Sequence, residues 1–184
     1  IFDELSNTSE NDVRFIALDD GASISVDAAA LAAVSPTRAG TEKTGPAALL
    51  QKMINDDWEM TVLEVVRGEA ALQMVYHTDA ANKALADGRE YVAVRVHVKY
   101  INTEDVSMPT NYLLFRTIGS LEVLYEHPSV VDPAPALDAV LFPGGEAEGW
   151  VVTEVAKGET GITLVIDALN DYSGTGTRYA SLVQ

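Results

Sequence analysis

The sequence predicts an all-β protein of antiparallel strands, with an N-terminal extension and at most one or two short helices. Three observations predict it. YVAVRVHVKY, Tyr91 to Tyr100, alternates with period 2. Gly, Pro, Asn and Asp cut the last two-thirds of the chain into short segments rich in Val, Ile, Tyr and Thr. Apolar residues make up 47% of 184 residues, enough for one globular core.

The elements follow in chain order. Residues 19–48 are Ala-rich and contain no aromatic residue. Within them DAAALAAV, Asp27 to Val34, predicts a short helix capped by Ser25 or Asp27 and stopped before Pro36. PTRAGTEKTGP, Pro36 to Pro46, reads as linker. WEMTVLEVVR, Trp58 to Arg67, begins as a strand with Trp58, Met60 and Val62 on one face. Its phase slips at Val65–Val66, which predicts a β-bulge. TDAANKALADG, Thr78 to Gly88, reads as a second helix or loop, with Ala81, Ala84 and Leu85 at helical spacing and Gly88 able to end it.

Tyr91 to Tyr100 puts Val92, Val94, Val96 and Val98 on a core face and Ala93, Arg95, His97 and Lys99 on a wet one, so a central antiparallel strand is expected. YLLFRTIG (112–119) and LEVLYE (121–126) follow as strands. HPSVVDPAPALD then crosses from one part of the fold to another, because Pro128, Pro133 and Pro135 make a poor interior strand. FPGGEAEG, from Phe142, is a turn-rich lead; no helix follows its glycines, so it offers no phosphate cradle. Trp150 to Val155 and Ile162 to Leu169 read as a hairpin turned at KGETG. RYASLV, from Arg178, is the last strand.

The two ends of the chain resemble each other. Ile1 to Leu18 laid over Val165 to Leu182 agrees at five of 18 positions: Asp3/Asp167, Leu5/Leu169, Ser9/Ser173, Arg14/Arg178 and Leu18/Leu182. Ile1/Val165, Phe2/Ile166 and Phe15/Tyr179 are conservative. Chance alone predicts about one identity. Residues 1–18 are therefore expected to be the last two strands of a preceding similar domain, 19–48 a connector, and 49–184 one complete repeat with a period near 164 residues. The alternative is strand-like composition shared by two edge strands. Two isolated strands cannot bury Phe2, Leu5, Phe15, Ile16 and Leu18 alone. They would dock, or pair with a neighbouring chain as a homodimer by strand exchange.

DDWEMTVLEV, GREYVAVRVHVKYIN, LLFRTIGS and LFPGGEAEGWVVTEVAKGETGITLVI together resemble the telokin-like bacterial domain of unknown function, which shares its fold with a mycobacterial secreted immunoprotective antigen. Tyr91 to Asn102 matches its Y-V-x-V-x-V-x-V strand followed by Asn, and Pro143 to Val151 its P-G-x-x-x-x-G-x-V turn. The likeness covers roughly Leu49 to Leu182. It implies an immunoglobulin-like β-sandwich on an exported or surface-attached protein, and it brings no catalytic residues with it.

Composition narrows the partners. The formal charge is −16, from 28 acidic and 12 basic residues, which disfavours nucleic acid and anionic lipid. There are no cysteines, so disulfides, thiolate metal sites and cysteine nucleophiles are excluded. No run of 18 apolar residues spans a membrane. The chain begins at Ile1 rather than Met, so a signal sequence is expected to lie outside it.

Chemistry is sparse. His77, His97 and His127 show neither HxH nor HExxH spacing, and no triad pattern is present. The acidic pairs Asp19–Asp20, Asp56–Asp57 and Glu104–Asp105 lack the spacing of an EF-hand loop. No catalytic, cofactor or metal residue is assigned. Arg95, His97 and Lys99 form a basic row in an acidic protein: either a docking face for an acidic partner or the next repeat, or a row paired with acidic side chains on adjacent strands. The expected function is a non-enzymatic extracellular or cell-surface module of a tandem-repeat protein, acting in spacing, adhesion or protein interaction. The alternative is a small-ligand or glycan-binding module, calcium-assisted, which predicts exposed aromatics beside carboxylates, with Tyr112, Tyr125 and Tyr172 as candidates.

Overall fold

Strand β3 (Arg89–Tyr100) shows what the alternation builds. The computed structural model describes residues 27–82, 85–167 and 175–183. Val92, Val94, Val96 and Val98 are buried, while Arg95, His97 and Lys99 are half-buried on the opposite face. As expected, β3 is central: β2 (Trp58–Arg67) and β8 (Glu146–Ala156) flank it antiparallel, and β1 (Met53–Ile54) extends the sheet in the order β1-β2-β3-β8. The register of β2 on β3 shifts between Val62 and Glu64, so a bulge is present, but upstream of the expected Val65–Val66, which pair regularly with Val94 and Ala93.

A second antiparallel sheet has the order β10-β9-β5-β6, from β5 (Phe115–Ile118), β6 (Leu124–Tyr125), β9 (Thr163–Ile166) and β10 (Arg178–Ser181). β4 (Met108–Thr110) pairs with β7 (Ala139–Leu141) as a small annex. One buried cluster draws Val92, Val94 and Val96 from the first sheet and Phe115, Leu164 and Ile166 from the second. Two sheets sharing one core make a β-sandwich. The chain is all-β, as the sequence predicts. No described helix is long and apolar enough to cross a membrane.

Helix α1 (Ala28–Ala32) forms where expected, with Asp27 accepting the Ala30 N–H at 3.0 Å. The described residues of 79–88 take the loop alternative, and the second helix, α2, lies just upstream at Glu69–Thr78. EAALQM supplies strong helix formers, and Ala71 and Val75 pack on Tyr91, Ala93, Trp150 and Val152. After Thr78 the side chains take the backbone elsewhere. Asp79 accepts the Ala81 N–H, and Asn82 donates to the Val75 carbonyl. The wet face of β3 is thus half covered by α2.

The expected hairpin from Trp150 to Leu169 is also corrected. β8 pairs with β3, and β9 pairs with β5 and β10, so the two strands lie in different sheets. The free edge of β8 is occupied instead. Trp150 donates to the Pro135 carbonyl (2.8 Å), Leu137 donates to that of Trp150 (3.0 Å), and Asp132 accepts the Val152 N–H (2.8 Å). The Pro-rich segment, with a cis Ala134–Pro135 bond, therefore crosses along β8 as a cover, and the chain after Ala156 must leave for the other sheet.

Nor is 36–46 a free linker. Thr37 donates to the Ile54 carbonyl (3.0 Å), Tyr179 to that of Gly40 (2.7 Å) and Ala47 to that of Tyr179 (2.8 Å). Gly40 has φ 67°, and a Cβ there would lie 2.4 Å from the Tyr179 carbonyl oxygen, so this close approach requires glycine. Both long edges are in this way blocked by irregular backbone, the usual protection against edge-to-edge aggregation. Residues 1–18 and the start of the connector lie outside the described residues.

Candidate functional site

The basic row sits between glutamates. Arg95 faces Glu64 on β2 and pairs with Glu148 on β8. His97 Nε2 is 3.6 Å from Glu146, and Lys99 lies opposite Glu59 and Glu146 in register. Four carboxylates therefore surround three basic groups. This geometry fits cross-strand pairing. Such exposed pairs contribute little, because water screens them and long side chains lose entropy. A double-mutant cycle on Arg95→Ala and Glu148→Ala, read from urea melts, is expected to give a coupling below about 1 kcal/mol.

The three histidines do not converge. His77 is in the last turn of α2, His97 is on the open sheet face, and His127 is in the crossing segment. Among the described residues no group of three or more His, Asp or Glu gathers as a metal site. Asp56–Asp57 forms a turn in which Asn55 Oδ1 accepts the N–H groups of Asp57 and Trp58, and Asp57 Oδ1 accepts the Asn102 amide. Asp19–Asp20 and Tyr172 lie outside the described residues.

Two buried carboxylates are structural anchors that the sequence did not flag. Glu159, 5% exposed, sits in the link between β8 and β9. One oxygen accepts the Leu121 N–H at 2.9 Å; the other accepts the Tyr125 hydroxyl at 2.9 Å and the Ala156 N–H at 3.2 Å. Read as the middle of KGETG, it looks like a solvated turn residue. Asp132 is the second. Besides the Val152 N–H, it faces His127 Nε2 at 3.1 Å, and His127 Nδ1 accepts the Ser129 N–H at 3.1 Å. This network assigns the imidazole proton to Nε2. Neither imidazole nitrogen is left to serve as a base.

Tyr125 is consequently buried and bonded, not an exposed platform. Burial pushes its phenol up from 10.0, helped by the Glu159 hydrogen bond, and burial does the same for Tyr91 and Tyr100. The folded state thus holds these protons more tightly than the unfolded chain. Their contribution is intact below pH 10.0 and is lost as pH rises through the raised folded values. Melts between pH 8 and 11 are expected to show a falling Tm only above about pH 10. Phenolate absorbance should rise in two stages, the later one coinciding with unfolding.

Of the two described candidates, Tyr112 stays available. It is 41% exposed, on a 3-10 turn (Tyr112–Leu114) that Asn111 caps by accepting the Leu113 N–H. Its ring centroid lies 4.1 Å from that of His127. Together with Asn111, Val130, Val131, Asp132, Leu137 and Asp138 it lines a cleft of about 380 Å³.

No protein-family model matches the chain, and no curated protein matches it. Several solved structures are similar. A Bacillus subtilis protein described as a lipoprotein, ycdA, matches with a TM-score of 0.50 and 13% identity over 71% of this chain and 38% of its own. This chain thus spans 38% of that protein's length. The yjhA protein of B. subtilis matches at 0.47 with 12% identity, over 74% and 98% of the two chains. The secreted protein MPT63 of Mycobacterium tuberculosis matches at 0.46 with 11% identity, over 67% and 90%. At 13% identity the first likeness concerns the fold alone.

Proposed function

We propose that the chain is a non-enzymatic module of an exported tandem-repeat protein, working in spacing, adhesion or protein interaction. One observation carries the tandem reading. The described positions that Ile1 to Leu18 shares with Val165 to Leu182 have structural tasks in the C-terminal copy, and Leu169 and Ser173 lie outside the described residues. Arg178, 3% exposed, donates to the carbonyls of Ile54, Thr175 and Thr177 and so ties β10 to β1. Asp167 pairs with Arg116. Ile166 and Leu182 are buried, and Tyr179 pairs with Val165 in register. The fully buried Ala180 departs, because Ile16 stands in its place.

The bonds of 36–47 to this sandwich support a connector shorter than 19–48, made of the residues before Thr37. Export is supported by the ycdA lipoprotein, which shares the fold. The non-enzymatic reading is supported by the engagement of His127, Asp132 and Glu159 in holding the structure. Sequencing the coding region upstream of Ile1 tests the array. A second turn like Phe142 to Glu146 is expected about 164 residues before the first. An upstream sequence without it contradicts the reading.

A further inference from the structure

We propose that the cleft beside Tyr112 binds one ring of a neutral carbohydrate. A sugar ring has an apolar C–H face and an equatorial belt of hydroxyls, so its site needs an aromatic or aliphatic surface next to free hydrogen-bonding groups. The cleft has both. Tyr112 supplies a half-exposed ring, and Val131, 52% exposed, supplies aliphatic surface beside the half-buried Val130. Among the described residues, the Asn111 side-chain NH₂, the Tyr112 hydroxyl and the Asp138 carboxylate hold no hydrogen bond to the protein. Its volume of about 380 Å³ lies at the lower end for small-molecule sites, the size of a mono- or disaccharide.

The walls are fixed in place before any ligand arrives. Asn82 clasps Val131 from both sides, donating to its carbonyl at 3.2 Å and accepting its N–H at 2.7 Å. Asp132 holds the next residue to β8 and to His127. Pro135 and Leu137 are bonded to Trp150, and His127 backs the Tyr112 ring. A site of this rigidity loses little ordering entropy on binding.

Charge selects the ligand class. The lining contains Asp132 and Asp138 and no Lys or Arg, on a protein of charge −16, so phosphorylated, sulfated and carboxylated ligands are repelled. A quaternary ammonium would need an aromatic cage; this cleft has one aromatic ring, and Asp132 is already committed to His127 and Val152. A neutral polyol remains. The site sits on a single module, so it operates whether or not the chain belongs to an array.

Amide chemical-shift mapping of the whole chain tests it, with glucose, galactose, mannose, N-acetylglucosamine, maltose and cellobiose as probes and glucose 6-phosphate and choline as comparators. At least one neutral sugar is expected to shift the amides of Tyr112, Leu113, Val131 and Asp138. Tyr112→Ala should weaken that binding by about tenfold or more, while Tyr112→Phe, which keeps the ring, should weaken it by less than about fivefold. Asp138→Asn, an exposed change that leaves the fold intact, should weaken it by about threefold to tenfold. Shifts from none of the sugars, shifts elsewhere, affinity unchanged in Tyr112→Ala, or a response to choline or glucose 6-phosphate alone each overturn the proposal.

Discussion

Glu159→Ala is expected to lower stability by about 3 kcal/mol or more, a fall in Tm of roughly 6–12 °C for a domain of this size. The carboxylate is the shared acceptor for Leu121, Tyr125 and Ala156, and truncation leaves two N–H groups and a hydroxyl without it in a buried pocket. Such stranded donors cost about 1–3 kcal/mol each. Glu159→Gln separates charge from shape. Its carbonyl can still serve Leu121, but its NH₂ meets the Ala156 N–H donor to donor, so a loss of about 1–2 kcal/mol is expected. Urea melts at pH 7 measure both. A change below about 0.5 kcal/mol in Glu159→Ala would mean that the link between β8 and β9 does not depend on this anchor.

Gly149→Val is the second large effect. Gly149 lies opposite Val96 on β8, and a Cβ there would stand 2.4 Å from the Leu137 nitrogen and 2.5 Å from the Ala136 carbonyl carbon. These are backbone atoms, held by the Trp150 hydrogen bonds, and cannot swing aside. The crossing segment must lift off. The expected loss is roughly 3 kcal/mol or more. Lifting the segment also uncovers the edge of β8, so light scattering on heating should rise well below the parent's melting temperature. Gly158→Ala is the control. Its φ is 79° but an added Cβ meets nothing within 4 Å, so only the backbone preference of about 1 kcal/mol is expected.

What could be read from the sequence was what local periodicity encodes. The valines of β3 specify both strand and core face, and the slip at Val65–Val66 marks a bulge whose register break falls between Val62 and Glu64. Asp27 before an Ala-rich run gives α1 and its cap. What misled were connections decided by distant partners. Two apolar strands joined by KGETG look like a hairpin. Only the Pro135 and Leu137 hydrogen bonds to Trp150 show that the edge a hairpin would use is taken. The polar, Gly-rich stretch 36–46 reads as linker because its bonds are to residues 54 and 179, far along the chain.

The site was less legible for the same reason. Arg95, His97 and Lys99 stand out in a list of residues, but the glutamates beside them come from two other strands. Glu159 carries no local signature of burial. Tyr112 and Tyr125 look alike in sequence, yet one is half exposed and the other is 4% exposed against Glu159.

We propose that the backbone of one sandwich begins by Thr37, where it first bonds to β1, and that Ile1 to Leu18 belongs to a neighbouring repeat. Thermal melts of the full chain and of a chain lacking residues 1–26 test it most directly. The same cooperative transition is expected, with Tm within about 2 °C, less than the effect of 1 kcal/mol in a domain of this size. A fall of about 10 °C or more on removing those residues would place Ile1 to Leu18 in this sandwich, and the tandem account would be wrong.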